Sequence, residues 1–299
     1  IKRTIKYNNM KSRDQLLLEQ AYARIVEANS NALGQAVDKD IYAAKQAQIS
    51  QALTSDMPNF VSTMQKLIQD PKVQHILSSG TKDDVLPTEV TEIPLADLFP
   101  TQNEIGFEES ALNLFSAEYP GLATMVKGPV VTIKDHIVTY NGKYIIDGHH
   151  RWSQAFVANP NNKITAVNIT GTMDPKQILK IVQLVIASTA KKIPMSKAGK
   201  TNMLTVTPEQ IPTLVNKQKF TQEALSEWNI AGFTGEQNIR AYIIKNLNML
   251  TTHKAVEGAP ARIFMPQTDG AGGPGGLKDK LNVGAVNWNL ATTSTKKRK

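Results

Sequence analysis

Cysteine is absent from all 299 residues. That excludes disulfides, thiolate nucleophiles and cysteine-ligated zinc or iron–sulfur clusters, and it suits a reducing compartment. Long apolar runs are absent too. The longest, such as Ile178–Ala187, is interrupted by polar positions and falls short of the roughly 18 residues a membrane span needs, so no membrane partner is expected. No basic-then-apolar signal segment opens the chain. The Gly270-Ala271-Gly272-Gly273 stretch lacks both the Lys-Ser/Thr and the preceding strand of a Walker loop, and no Rossmann glycine fingerprint or Gly-x-Ser-x-Gly elbow occurs. The chain opens on Ile1 rather than Met, so processing, truncation or a partial tag is expected, with Met10 a candidate start.

What is present supports a folded protein. Apolar residues make up 41% and charged residues 20%, enough for a core and against global disorder. The formal charge is +8 and the isoelectric point about 9.4, a balance that favours phosphate-rich partners such as nucleotides or nucleic acid. Seven of the eight net charges sit at Lys2, Arg3, Lys6 and Lys296-Lys297-Arg298-Lys299, leaving the rest at +1. That argues against a large DNA-binding face. The terminal run reads as a solubilising end, with a DNA contact as the alternative.

Periodicity and breakers divide the chain into five parts. Residues 1–79 read as an N-terminal helical region. Its candidate helices carry Leu16, Leu17, Ala21 and Ile25, then Asp40–Leu53, then Pro58–Leu77 broken at Pro71. Residues 80–87 read as a polar linker. Residues 88–171 read as a compact α+β unit with strands at Val90–Pro94, Pro129–Ile133 and Ile164–Ile169. Within it, Ile137–Tyr140, Asn141-Gly142 and Lys143–Ile146 spell a hairpin, because Asn-Gly supplies the positive φ values of a type I′ turn. Residues 172–255 read as a second helical region, with helix starts at Asp174-Pro175, Thr207-Pro208 and Thr221 and a last helix over Gly235–Leu250. Residues 256–299 read as a Gly/Pro-rich mobile loop and an extended basic tail.

The chemistry concentrates at Asp147-Gly148-His149-His150-Arg151, between the hairpin and the short helix that follows. Helix N-terminal N–H groups favour anions, an arginine adds a two-pronged donor, and glycine lets a ligand approach the backbone. Gly148, His149, His150 and Arg151 are therefore the candidate phosphate site. Asp147 either holds Mg²⁺ or caps the helix. Adjacent histidines diverge by about 100° on a helix, so both binding one metal is awkward. Trp152 reads as a packing residue and His136 as a loop residue.

These residues also carry a resemblance. Ile-Pro-Leu-Ala-Asp-Leu-Phe-Pro at 93–100, the Pro-Val-Val strand at 129–131, and the hairpin leading into the box resemble the ParB/sulfiredoxin superfamily over about a quarter of the chain. The Asp-Gly-His-His-Arg form is closer to the free-serine-kinase-like members than to the Gly-Glu-Arg-Arg box of chromosome-partitioning ParB. The resemblance implies a small mixed-sheet domain flanked by helices, in which the box cradles the phosphates of ATP, ADP or another nucleotide with Mg²⁺. It also implies a catalytic carboxylate in the segment Pro100-Thr101-Gln102-Asn103-Glu104. Glu104 is the expected base, with Glu108 or Glu109 as fallbacks and His150 and Asp147 as further catalytic candidates. The expected function is that of a cytoplasmic phosphotransferase or NTPase. The alternatives are a ParB-like DNA-binding protein or nuclease, and a non-enzymatic assembly protein of the kind bacteriophages encode, docking partners through its helical flanks.

Overall fold

The computed structural model describes residues 38–118, 121–133 and 135–290. The chain divides into two compact units, residues 1–48 and 49–299. In the first, residues 38–48 are helical; the helix expected around Leu16–Ala28 and the basic run 296–299 lie outside the described residues. All that follows concerns the second unit.

Residues 49–54 are helical, and α1 (Met57–Leu67) and α2 (Pro71–Leu77) follow. Asp56 accepts the Asn59 N–H and Asp70 the Lys72 N–H, so each helix begins on an aspartate cap with a proline in its first turn. The break at Pro71 falls where the sequence predicts it.

A six-stranded mixed sheet follows, built from β1 (Thr88–Pro94), β2 (Phe99–Pro100), β3 (Val130–Val131), β4 (Ile137–Tyr140), β5 (Tyr144–Asp147) and β6 (Lys163–Ile169). The order is β1-β6-β4-β5-β2, with β3 extending the line of β4 along β6. β1 pairs β6 antiparallel, β4 pairs β6 parallel and β2 pairs β5 parallel. The β4–β5 hairpin turns at Asn141 (φ 52°) and Gly142 (φ 63°), as Asn-Gly dictates. β3 is shorter than predicted because Ala166–Ile169 of β6 are paired with β4 instead.

Helices cover both faces. On one lie α3 (Phe107–Ser116), α4 (Leu122–Lys127) and α5 (His149–Ala158), whose Trp152, Ala155 and Phe156 join Ile145, Ile164 and Ala166 in a single buried cluster. The last helices on this side are α7 (Ile211–Lys217), α8 (Gln222–Ile230) and α9 (Glu236–Leu250). α7 starts three residues later than Thr207-Pro208 suggests, because Gln210 Oε1 takes the Thr207 N–H and closes a turn there first. The alternate strand residues Val138, Ile146 and Val167 are also buried, toward the opposite side. There α6 (Pro175–Ala190) packs on β5, and α10 (Gly273–Asn282) packs on β1 and β6.

Two expectations need correction. The Gly/Pro-rich 266–276 stretch is not a mobile loop, nor 277–290 an extended tail. A 3₁₀ turn at Thr268–Ala271 leads into α10, where Pro274 suits the first turn and Leu277 and Leu281 are buried. Glycine is needed for this contact: a Cβ on Gly276 would lie 2.4 Å from the Ala271 carbonyl. The presumed linker 80–87 is likewise structured. Thr81 and Asp84 form a capping box around a 3₁₀ turn, and the buried Asp84 carboxylate accepts the Trp288 and Asn289 N–H groups at 3.1 and 2.9 Å. Among the described residues, no helix is long and apolar enough to cross a membrane.

Candidate functional site

Strand β5 delivers the motif through an irregularity. Val138 pairs with Asp147 while Thr139 pairs with Ile145, so Ile146 is an extra residue that bends the strand just before the box. Gly148 then takes φ 91°, a conformation that other residues adopt only under strain. A Cβ there would lie 2.6 Å from Ile137 Cγ2 and 3.0 Å from Arg151 Nη2. Glycine therefore serves both the turn and the room beside Arg151. No side chain caps α5, and its first N–H groups lack intrahelical partners, as at any helix start.

Those groups open on a cavity of about 220 Å³ lined by Gly148, His149, His150 and Arg151. Its opposite wall comes from Arg262, Met265–Asp269, Ser196 and Gln102. Asp147 Oδ1 accepts the Gly148 N–H at 2.8 Å and Oδ2 accepts the Thr268 hydroxyl at 2.5 Å, with Arg151 Nη2 3.6 Å away. Asp147 thus braces the turn and the far wall rather than capping α5. Arg262 contacts Glu109 Oε1 through Nη1 at 3.1 Å. Each arginine has five N–H donors and spends few of them on its carboxylate. Their side chains keep 27% and 18% of their exposure, so both can still meet a ligand.

The two histidines part ways. His149 is buried, and its Nε2 accepts the Thr101 N–H at 3.1 Å, so its proton resides on Nδ1. Burial, aided by the positive surroundings of His150 and Arg151, holds it well below the usual imidazole range. It clamps the 100–104 segment to α5, as does Thr101 Oγ1 by donating to the Ile145 carbonyl. His150 instead has a buried Nε2 with no hydrogen-bond partner among the described residues. Burial first, then Arg262 and Arg151, push its pKa down to about 4 against the opposing pull of Glu109.

His150 and Arg151 also border a second cavity of about 770 Å³, lined by Glu109, Met125, Val131, Ile133, Gln154 and neighbours. Of Glu104, Glu108 and Glu109, only Glu109 lines either cavity, and it lines the larger one. Burial raises its pKa, but backbone hydrogen bonding and the Arg262 pair outweigh that and hold it below the usual value. Glu104 lines neither cavity; its Oε1 accepts the Gly199 N–H at 2.5 Å. Glu108 accepts the Thr201 N–H and hydroxyl. Both tie down the segment after α6. Trp152 is fully buried and donates Nε1–H to the Leu95 carbonyl at 3.0 Å, and His136 lies in the loop before β4.

Arg262 and Thr268 escaped sequence reading because they lie more than 100 residues from the box, in a stretch whose glycines and prolines read as loop. A lone arginine in such a stretch is a weak signal. Gln183 on α6 donates to the Phe264 carbonyl at 3.1 Å, and Gly270 lies so close to α6 that a Cβ would meet Ile186 Cγ2 at 2.8 Å. These contacts make Arg262 a fixed wall. Among the described residues, no group of three or more His, Asp or Glu side chains is placed to hold a metal. Comparison with protein-family models, characterised proteins and solved structures gives no significant match.

Proposed function

We propose that the chain is a nucleotide-binding enzyme of ParB/sulfiredoxin type, a phosphotransferase or NTPase acting on ATP, ADP or a related nucleotide. The supporting observation is the convergence of Arg151, Arg262 and the α5 N-terminus on one small polar cavity, beside the unpartnered Nε2 of the neutral His150. Two guanidinium forks and a helix N-terminus suit a phosphate chain. A neutral imidazole donates to a phosphate oxygen or accepts from its hydroxyl without adding charge. The hairpin leading through Gly148 into α5 agrees with the superfamily layout.

Bound Mg²⁺ would neutralise phosphate charge. The residues fit an ion carried in by the nucleotide, since Mg²⁺ is commonly held by one or two carboxylates plus substrate phosphates, and Asp147 and Asp269 line the cavity. Glu109, kept ionised 3.1 Å from the Arg262 that lines the phosphate cavity, is the group we assign to take the proton of an attacking hydroxyl or water at the junction of the two cavities. Glu104 has no such role in this reading, since a backbone N–H occupies it.

A thermal-shift screen of ATP, ADP, CTP and GTP with Mg²⁺ tests the reading. At least one nucleotide should raise the melting temperature of the native chain and none that of Arg151→Ala. A flat response from both, with DNA binding that weakens steeply as salt rises, would favour the DNA-binding alternative instead.

A further inference from the structure

The phosphate cavity is too small for a whole nucleotide. At about 220 Å³ it falls below the roughly 300–1,000 Å³ typical of small-molecule sites, whereas its neighbour, about 770 Å³, falls within that range. His150 and Arg151 border both. Gln154, one turn further along α5, lines only the larger. The spacing 150, 151, 154 puts all three on one side of the helix, while Trp152, Ala155 and Phe156 face the core.

The larger cavity has the chemistry of a base seat. Met125, Val131 and Ile133 give it apolar walls of the kind a flat ring packs against. Thr124 and Gln154 offer hydrogen-bonding groups, and the Gln154 amide makes only a 4.0 Å contact with Met125 Sδ among the described residues. Glu109, already paired with Arg262, and Asp135 border it beside Arg151, so its lining offers no cluster of cations for a further anion. These walls suit an uncharged, flat group able to hydrogen-bond along its edge.

We propose that this cavity seats the base and sugar of the nucleotide whose phosphates lie between Arg151 and Arg262, with Gln154 reading the base edge. The proposal rests on the phosphate reading above. Separation of the two requires a ligand with phosphates and no base.

The experiment is calorimetric titration of the full chain with Mg²⁺-tripolyphosphate and with ATP, CTP, GTP and UTP, on the native chain, Thr124→Trp and Gln154→Ala. Thr124 is an exposed residue of α4, so tryptophan there narrows the cavity without disturbing the core. In the native chain, one nucleoside triphosphate should bind at least tenfold tighter than tripolyphosphate. Thr124→Trp should erase that advantage while tripolyphosphate affinity stays within twofold, and Gln154→Ala should flatten the preference among the four bases. Equal binding of tripolyphosphate and all four nucleotides, or a nucleotide advantage untouched by both substitutions, overturns the base seat and leaves the phosphate site standing. Absence of binding by tripolyphosphate and by all four nucleotides alike overturns both.

Discussion

His149 and His150 are chain neighbours with different duties. His149 is spent on the Thr101 N–H, while the Nε2 of His150 has no partner in the chain. Both are neutral in the folded state, with pKa values depressed from 6.5, well below it for His149 and to about 4 for His150. The unfolded chain therefore binds more protons across the window between 6.5 and about 4. Stability is fully present above that window and falls as pH drops through it. For His150 alone the shift corresponds to roughly 3 kcal/mol. Urea denaturation at pH 7.5 and 4.5 should show the loss, and His150→Gln should reduce it; identical midpoints would argue that these imidazoles titrate normally. The same scale governs Glu109. Glu109→Gln keeps a hydrogen-bond acceptor for Arg262 but removes the base, so nucleotide affinity should change only a few-fold while turnover falls by about 10²–10⁴. A turnover within threefold of native would return the base to another residue.

Elements explain why the box was legible and its opposite wall was not. Asn141-Gly142, Gly148 and the apolar alternation around them are local signals, each forced by backbone geometry, and the hairpin and α5 fall where the sequence predicts them. The N-caps at Asp174 and Thr221 are equally local and equally visible. The partners of Glu104, Glu108 and Glu109 are set by how the segment after α6 and the 262–269 turn fold back on α3, which no spacing within 100–109 encodes. The glycines of 266–276 predict a loop because glycine usually marks one. At Gly270 and Gly276 the absent side chain instead permits close packing, of α6 in one case and of the preceding turn in the other.

Across the second unit, the N-terminal and C-terminal segments close on each other far from the box. Asp84 binds the Trp288 and Asn289 N–H groups, its carbonyl accepts Trp288 Nε1–H at 2.7 Å, and Leu77 accepts the Asn287 N–H at 2.9 Å. Asp84→Ala would leave two half-buried N–H groups without this acceptor and should lower unfolding stability by about 2 kcal/mol, measured by urea denaturation. Because the clasp touches neither cavity, nucleotide affinity at 10 °C should survive the substitution. A loss of binding in a still-folded variant would show that the clasp shapes the site. The near-neutral charge of the chain apart from its terminal cations argues against a broad basic face, and Arg151 and Arg262 are the cations that line the smaller cavity. Calorimetric titration of the best Mg²⁺-nucleotide into the native chain, Arg151→Ala and Arg262→Ala tests that placement most directly. Measurable binding that weakens at least tenfold in each variant is the expected result; affinity unchanged by either substitution would contradict it.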